Sequence, residues 1–215
     1  PLTVGASYLC GFIKSDSYLA NPNLQFHISP ASTDLLGKAQ LHKFPGFTPT
    51  ITNVRPTSRG SIEIKSSDTR IYPKIKMNYL STYEDREIAA KSIKIVRKIV
   101  LESQAYSKYQ PKEYRPGKEF KDNESLAREA GKFANTIFHP VSTCKMGNDE
   151  NSVVNDNLKV KGINNLRVVD ASVMPTITSG NTNAPTMMIA EKGSDLIIKD
   201  QKYELYYCIF RSNSS

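Results

Sequence analysis

The residues best suited to chemistry in this sequence are one histidine and a short polar segment downstream of it. His139 follows an apolar, helix-forming segment and precedes Pro140. Because proline disfavours the helical conformation of the residue before it, we expect His139 at the end of a helix, with an extended backbone. An imidazole so placed can accept a proton near neutral pH, but it can also be a plain polar cap. These residues alone leave both interpretations open.

The polar segment, residues 180–185, reads Gly-Asn-Thr-Asn-Ala-Pro. Its proline is suited to the first turn of a helix, because the donor that proline lacks would be unpaired there anyway. A helix that begins beside Asn181, Thr182 and Asn183 would direct free backbone N–H groups at developing negative charge. In the alternative, Asn183 only caps the helix and Gly180 only permits a turn.

The composition argues against several other classes of function. The three cysteines, Cys10, Cys144 and Cys208, lie far apart without the paired spacings of zinc sites, so we predict no metal site. The net charge of +8 comes from scattered lysines and arginines. No basic run interleaves with aromatic residues as a single-strand binding groove requires, so we predict no nucleic-acid partner.

Membrane insertion is also not predicted. The longest apolar-rich segment, residues 88–101, is interrupted by basic residues and does not approach the roughly 20 apolar residues that span a bilayer. The chain opens with Pro1 and shows neither an initiator Met nor a leader, so the cellular compartment stays open.

Alternating apolar residues predict the strands. Leu24, Phe26 and Ile28 alternate with polar neighbours, which favours a half-buried strand with His27 on its other face. The run 61–65 alternates in the same way and ends at the turn residues Ser-Ser-Asp. The remaining histidine, His42, is expected at the surface.

Helical spacing predicts two helices before His139. Ser81 and Glu84 form a capping box, and apolar residues recur behind it at helical spacing as far as Val100. After a connection rich in proline, a second helix is predicted from apolar residues at helical spacing: Leu126, Ala130, Phe133, Ala134 and Ile137. We expect this second helix to lead directly to His139.

A continuous series of motifs follows from His139. Residues 139–147 read His-Pro-Val-Ser-Thr-Cys-Lys-Met-Gly, residues 165–175 read Asn-Leu-Arg-Val-Val-Asp-Ala-Ser-Val-Met-Pro, and residues 178–185 read Thr-Ser-Gly-Asn-Thr-Asn-Ala-Pro. This succession resembles the C-terminal signature of the glucose–methanol–choline (GMC) oxidoreductases, most closely the branch with insect glucose dehydrogenases. Upstream, Ser-Arg-Gly at 58–60 and the segment 73–80 are similar to that family's substrate domain.

The resemblance implies an α+β fold in unequal pieces. Residues 1–145 would form part of the substrate-binding domain, an antiparallel sheet backed by helices that ends at the histidine motif. Residues 146–200 would complete a flavin-binding α/β domain, and residues 201–215 would be a tail or an extra strand. The mostly apolar run 166–169 independently predicts a short buried strand that ends at Asp170.

The resemblance also implies an active-site pair and a reaction. The family's pair of side chains facing the flavin falls on His139 and Asn181. We expect His139 to accept the proton of an alcohol hydroxyl, and Asn181 to hydrogen-bond the oxygen as alkoxide character grows. Hydride would pass from the carbinol carbon to flavin N5. The substrate would be a small-molecule alcohol, with its identity and the final electron acceptor left open.

The implied cofactor is FAD. Asp170 and Ala171 resemble the family residues near the flavin phosphate and ribityl chain, while Thr182 and Asn183 resemble those near the ring. The chain departs from the family at Ser142, where glycine is usual, and it also has Asn155 where aspartate is usual.

The sequence lacks the Gly-x-Gly-x-x-Gly turn that opens a dinucleotide-binding fold. We therefore expect a fragment whose partner is the N-terminal FAD-binding half of the same protein, and we expect the isolated chain neither to bind FAD nor to turn over alcohol. In the alternative, the chain is a non-catalytic binding or structural remnant of the substrate domain.

Overall fold

The computed structural model describes residues 7–33 and 40–212, with side chains as far as residue 201. The chain divides into two compact units, Pro1–Ile137 and Phe138–Ser215. Small antiparallel sheets and helices make up the fold, as the α+β prediction stated. The division between the units falls just before the histidine motif. The predicted domain limits at 145 and 200 stay predictions.

The first unit begins with a three-stranded antiparallel sheet. Strands β1 (Leu9–Ile13), β2 (Leu24–Ser29) and β3 (Thr48–Asn53) lie in the order β1-β2-β3. The predicted strand is confirmed, but the predicted burial of one face only is wrong, since Gln25 is buried between Leu24 and Phe26. His27 pairs with Cys10 of β1 and is half-buried.

A two-stranded sheet follows, formed by β4 (Ser61–Glu63) and β5 (Lys74–Lys76). The strand predicted for residues 61–65 is therefore confirmed but shorter. Gly60 precedes it for a steric reason, because a Cβ atom there would lie 2.1 Å from the carbonyl oxygen of Lys76. A side chain at this position would separate the two strands.

Helix α1 (Tyr83–Val100) starts one residue later than the predicted capping box. The N-cap is Thr82, whose hydroxyl accepts a hydrogen bond from the backbone N–H of Asp85. Ser81 and Glu84 were the wrong pair. Thr82 has the extended backbone that a cap requires, and its oxygen reaches the third helical residue.

The buried carboxylate of Asp85 connects the start of α1 by hydrogen bonds to the end of β3 and to the loop that follows it. It accepts hydrogen bonds from the Asn53 side-chain amide at 3.1 Å and from the backbone N–H groups of Thr57 and Ser58 at 2.9 and 2.8 Å. Burial raises the pKa of this carboxyl group, but the hydrogen bonds from Ser58 and Thr57 together outweigh burial and hold the pKa below its ordinary value.

Helix α2 (Asn123–Phe133) ends earlier than predicted. Its N-cap is Asp122, which accepts from the backbone N–H of Ser125, and Leu126 and Ala130 are buried, as the helical spacing indicated. The backbone turns extended at Ala134. The prediction that the helix runs to Ile137 and delivers His139 directly is wrong.

His42 is more enclosed than the predicted surface histidine. Its ring stacks on Phe44 at 4.7 Å between centroids and meets the edge of Tyr114 at 4.9 Å. Its Nδ1 lies 2.9 Å from the Ser32 hydroxyl. Aromatic packing therefore draws this side chain inward.

The second unit has its own apolar core. Val154, Leu158, Val173, Met174 and Ile189 are buried together. Ile189 comes from the long helix described below, and the other four come from a segment of isolated β-bridges and a 3₁₀ helix at Ala171–Val173.

The buried strand predicted at residues 166–169 is wrong. The segment forms one isolated bridge, between Lys159 and Arg167, and Leu166 is 46% exposed. The valines at 168 and 169 do pack against the core. The apolar run thus reflects partial burial of a loop.

Helix α3 (Asn183–Ser212) has Pro185 in its first turn, as predicted. It continues through residues 201–212, where a tail or strand was expected, and residues 213–215 lie outside the described residues. Gly193 packs tightly, because a Cβ atom there would meet Val169 Cγ1 at 2.4 Å. No described helix has the length and apolarity needed to cross a membrane.

Candidate active site

His139 contacts two consecutive residues that directly precede α3. Its Nε2 lies 2.9 Å from the side-chain nitrogen of Asn181, and its Nδ1 lies 2.8 Å from the hydroxyl of Thr182. The backbone N–H of Thr182 also points at Nδ1, at 3.5 Å. The structure thus brings both members of the predicted pair into direct contact within the second unit.

The Asn181 contact favours one tautomer of the imidazole, whereas the longer contact from the Thr182 backbone N–H fits the other. With the Asn181 amide donating, Nε2 acts as acceptor and the ring proton resides on Nδ1, from where it is donated to the Thr182 hydroxyl. Nε2 is the nitrogen on the exposed Asn181 side, whereas Thr182 is only 7% exposed. The lone pair suited to accepting a proton therefore faces outward.

Thr182 is locked in place by the first turn of α3. Its carbonyl accepts from the backbone N–H of Thr186 at 3.0 Å and from the Thr186 hydroxyl at 2.6 Å. Its own side chain is committed to His139. The backbone at the start of α3 therefore sets the position of the imidazole.

Left-handed backbone conformations surround the site. Phe138 has φ 63°, Ser142 has φ 78° and Ser179 has φ 64°. Such angles are costly for residues with a Cβ atom and are typical of functional loops. The positive φ at Ser142 is one that glycine adopts without strain, which agrees with the glycine that the resemblance led us to expect there.

The residues predicted to contact the flavin fall into two groups. Asp170 is exposed and caps the 3₁₀ helix, since its carboxylate accepts from the backbone N–H and hydroxyl of Ser172. Ala171 packs against the core of the second unit. Asn183 is exposed in the first turn of α3, next to the imidazole-binding residues. The side-chain hydrogen bonds of Asp170 are to Ser172, and the structure does not join it to His139 and Asn181.

Sequence reasoning missed the contact between Thr182 and His139. The two residues are 43 positions apart, and no local spacing links them. The available signal was chemical: an oriented imidazole needs a partner for its second nitrogen, and a threonine directly follows the predicted Asn181.

Comparison with known proteins identifies the family. A family model described as GMC oxidoreductase matches residues 56–190, which include all the residues of the site. The chain belongs to the GMC oxidoreductase family.

The sequence relatives have named activities. An oxygen-dependent choline dehydrogenase of Pseudomonas savastanoi is 40% identical over 187 residues, covering 87% of this chain and 33% of the relative. An alcohol dehydrogenase [acceptor] of Pseudomonas putida is 40% identical over 198 residues, covering 92% and 36%. The chain thus spans about a third of the length of these curated relatives.

Solved structures share the fold. Pyridoxine 4-oxidase from Mesorbium loti matches with a TM-score of 0.79 at 27% identity, covering 88% of this chain and 37% of that one. A variant of Aspergillus oryzae formate oxidase, described for the modification of its FAD, matches with a TM-score of 0.76 at 23% identity, covering 86% and 33%. The second likeness shows the fold alone.

The hydrogen-bond donors of the site are of the kind that a flavin ring requires. An exposed helix start, with Asn181 and Asn183 beside it, offers amide donors to a ring that gains negative charge. In the described residues, no group of three or more His, Cys, Asp or Glu side chains is arranged to hold a metal ion.

Proposed function

We propose that this chain is the C-terminal part of a longer FAD-dependent oxidoreductase that acts on the CH–OH group of a small-molecule alcohol. The observation that carries the proposal is the placement of His139 Nε2 at 2.9 Å from the Asn181 amide, with Nδ1 held at 2.8 Å by Thr182. The family and the naming of its relatives as choline and alcohol dehydrogenases support it. The remaining two thirds of the protein would supply the glycine-rich turn that this chain lacks.

In this proposal His139 removes the hydroxyl proton of the substrate. In the tautomer that carries the ring proton on Nδ1, the Thr182 hydroxyl accepts that proton's hydrogen bond and Nε2 presents a lone pair to the incoming hydroxyl. As Nε2 takes the proton, the ring becomes an imidazolium that donates from both nitrogens. The Thr182 hydroxyl continues to accept from Nδ1 and stabilises that charge.

Asn181 stabilises the substrate oxygen. Its amide nitrogen donates to Nε2 at 2.9 Å before substrate arrives. When an alcohol oxygen enters beside Nε2, the same N–H group can donate to that oxygen instead. Because an amide holds no titratable proton at working pH, Asn181 contributes hydrogen bonding rather than proton transfer.

Bound FAD would supply the hydride acceptor for the carbinol carbon. Asn183 and the backbone at the start of α3 would lie nearest its ring, and Asp170 and Ala171 near its phosphate and ribityl chain. Thr182 is also assigned to the ring region, where its buried side chain serves His139 and leaves any cofactor contact to its neighbours. Within the family, the motifs predict that the protein belongs to the branch that contains insect glucose dehydrogenases.

The test uses the complete protein that contains this chain. The purified protein is scanned for flavin absorbance and assayed against a panel of alcohols, first with oxygen and then with an artificial dye as acceptor. We expect bound flavin and turnover of at least one alcohol. Absence of both flavin and turnover would favour the non-catalytic remnant instead.

Variants then test the roles within the pair. His139→Gln should lower kcat about 100-fold or more, because general-base catalysis contributes about 10²–10⁴-fold. Asn181→Ala should lower kcat by a comparable factor, since it removes a donor to the developing alkoxide. Asn164→Ala, a change of the same type in an exposed loop, is the matched control and should leave kcat unchanged. A His139→Gln enzyme with kcat within a few fold of wild type would exclude His139 as the base.

A further inference from the structure

Lysines and tyrosines lie close together in the connection between α1 and α2. Residues 108–121, called the basic loop below, carry the lysines Lys108, Lys112, Lys118 and Lys121 together with Arg115, Tyr109 and Tyr114. All seven side chains are exposed. The earlier expectation that no basic run interleaves with aromatic residues is wrong for this segment.

A single arginine of α1 holds the basic loop in a compact shape. The Arg97 guanidinium forms a two-point ion pair with Glu113, at 2.9 and 2.8 Å, and donates to the carbonyl oxygens of Gly117 and Phe120 at 2.9 and 2.7 Å. The side chains of Arg97 and Glu113 are only 16% and 11% exposed. The Arg97 guanidinium therefore holds residues 113–120 together.

This fastening leaves the outer charge of the loop positive. Arg97 offsets Glu113, so Glu119 is the one exposed carboxylate of the segment. In the part of the chain that the structure describes, none of the four lysines lies within ion-pairing distance of a carboxylate. Their ammonium groups are available to an external anion.

The two tyrosines add amphipathic surface beside these charges. Tyr109 and Tyr114 are 68% and 55% exposed. The Lys108 ammonium lies 4.8 Å from the ring centre of Tyr109, and the Arg115 guanidinium lies 5.6 Å from that of Tyr114. Each ring thus already has a cation over one face, while its hydroxyl end is free to contact water and polar headgroups.

We propose that the basic loop binds the surface of a membrane rich in anionic phospholipids. Four lysines with exposed tyrosines match the composition of segments that bind anionic headgroups, where tyrosine rings sit at the boundary between water and lipid. Protein interfaces are depleted in lysine, which argues against an acidic protein partner. A single-stranded nucleic acid would need open aromatic faces for base stacking, and here cations occupy one face of each ring. The proposal concerns the first unit and does not depend on the proposed chemistry.

The experiment measures co-sedimentation of the complete protein with vesicles. Phosphatidylcholine vesicles with added phosphatidylserine are compared with vesicles of phosphatidylcholine alone. We expect binding to the anionic vesicles, weakened by high salt, and little binding to the neutral ones. Each lysine near an anionic surface contributes about 1 kcal/mol, equivalent to roughly five-fold in the partition coefficient. Lys112→Gln/Lys118→Gln should therefore weaken binding roughly 25-fold.

A charge-matched variant separates the loop from the net charge of the protein. Lys65→Gln/Lys199→Gln removes two exposed lysines elsewhere and should weaken binding much less. Equal weakening by both double variants would overturn the proposal, as would equal binding to neutral and anionic vesicles. Tighter, salt-sensitive binding to a single-stranded oligonucleotide, lost in the basic-loop variant, would also overturn it in favour of nucleic acid.

Discussion

Replacing Thr182 with valine removes one hydroxyl and almost no volume. That hydroxyl lies 2.8 Å from His139 Nδ1, and the residue is 7% exposed. Losing a neutral hydrogen bond costs about 1 kcal/mol, and leaving Nδ1–H without its acceptor adds about 1 kcal/mol more. Because the bond strengthens as the imidazole gains charge, the cost should fall on the transition state. A total of about 2 kcal/mol corresponds to a roughly 30-fold lower kcat.

The assay is steady-state kinetics of the complete protein with its best alcohol. Thr182→Val should lower kcat with little change in KM, the pattern expected when an interaction matters in the transition state only. Thr182→Ser keeps the hydroxyl and should restore most of kcat, while flavin content and thermal unfolding confirm that both variants fold. The reasoning is refuted if the valine variant keeps its full kcat, or if the serine variant loses as much as the valine variant.

Two further changes test stability. Asp85→Asn should lower the free energy of unfolding by about 1–3 kcal/mol at neutral pH, because the buried carboxylate accepts bonds from Asn53, Thr57 and Ser58. Since the folded pKa of Asp85 is lowered, this stabilisation is present above the ordinary carboxyl range near pH ~4 and is lost as pH falls through the folded value. In urea unfolding over that range, the difference in free energy of unfolding between wild type and the variant should disappear as pH falls. A difference that persists at low pH would show that the charge of Asp85 is not the cause. Ser142→Gly should raise the free energy of unfolding by about 1 kcal/mol by relieving the left-handed backbone, and Ser142→Ala should give no gain. Equal urea midpoints for glycine and alanine at this position would mean that the backbone there is not strained.

Periodic patterns predicted the type of element where apolar residues recur regularly along it. The alternation that begins at Leu24 and the helical spacing that ends at Val100 gave the correct elements, although Gln25 on the polar side of the strand is buried as well. Patterns failed where burial is partial. The spacing that included Ile137 continued past the end of α2, and Leu166 lies in an exposed loop that apolar composition alone made resemble a strand. Neither error changes the family.

In the candidate site, too, some residues could be predicted from the sequence and others could not. The motif order located His139 and Asn181, which the structure places in contact. The role of Thr182 could not follow from spacing, because it depends on a contact across 43 residues that only the folded start of α3 creates. Local cap chemistry is equally hard to predict to the residue, since either Ser81 or Thr82 has the composition of a cap and only the backbone angles select one.

The tight packing at Gly193 limits which substitutions α3 can accept. A rigid helix rises 1.5 Å per residue, so Gly193 lies roughly 15 Å along α3 from its first residue, Asn183. Any larger side chain would collide with Val169 and force α3 to shift or roll. Such a movement would be transmitted along the rod to the amide and hydroxyl that hold the imidazole. A methyl group added at Gly193 would thus displace the side chains that orient His139. A mutational screen restricted to residues of the site would not detect this effect.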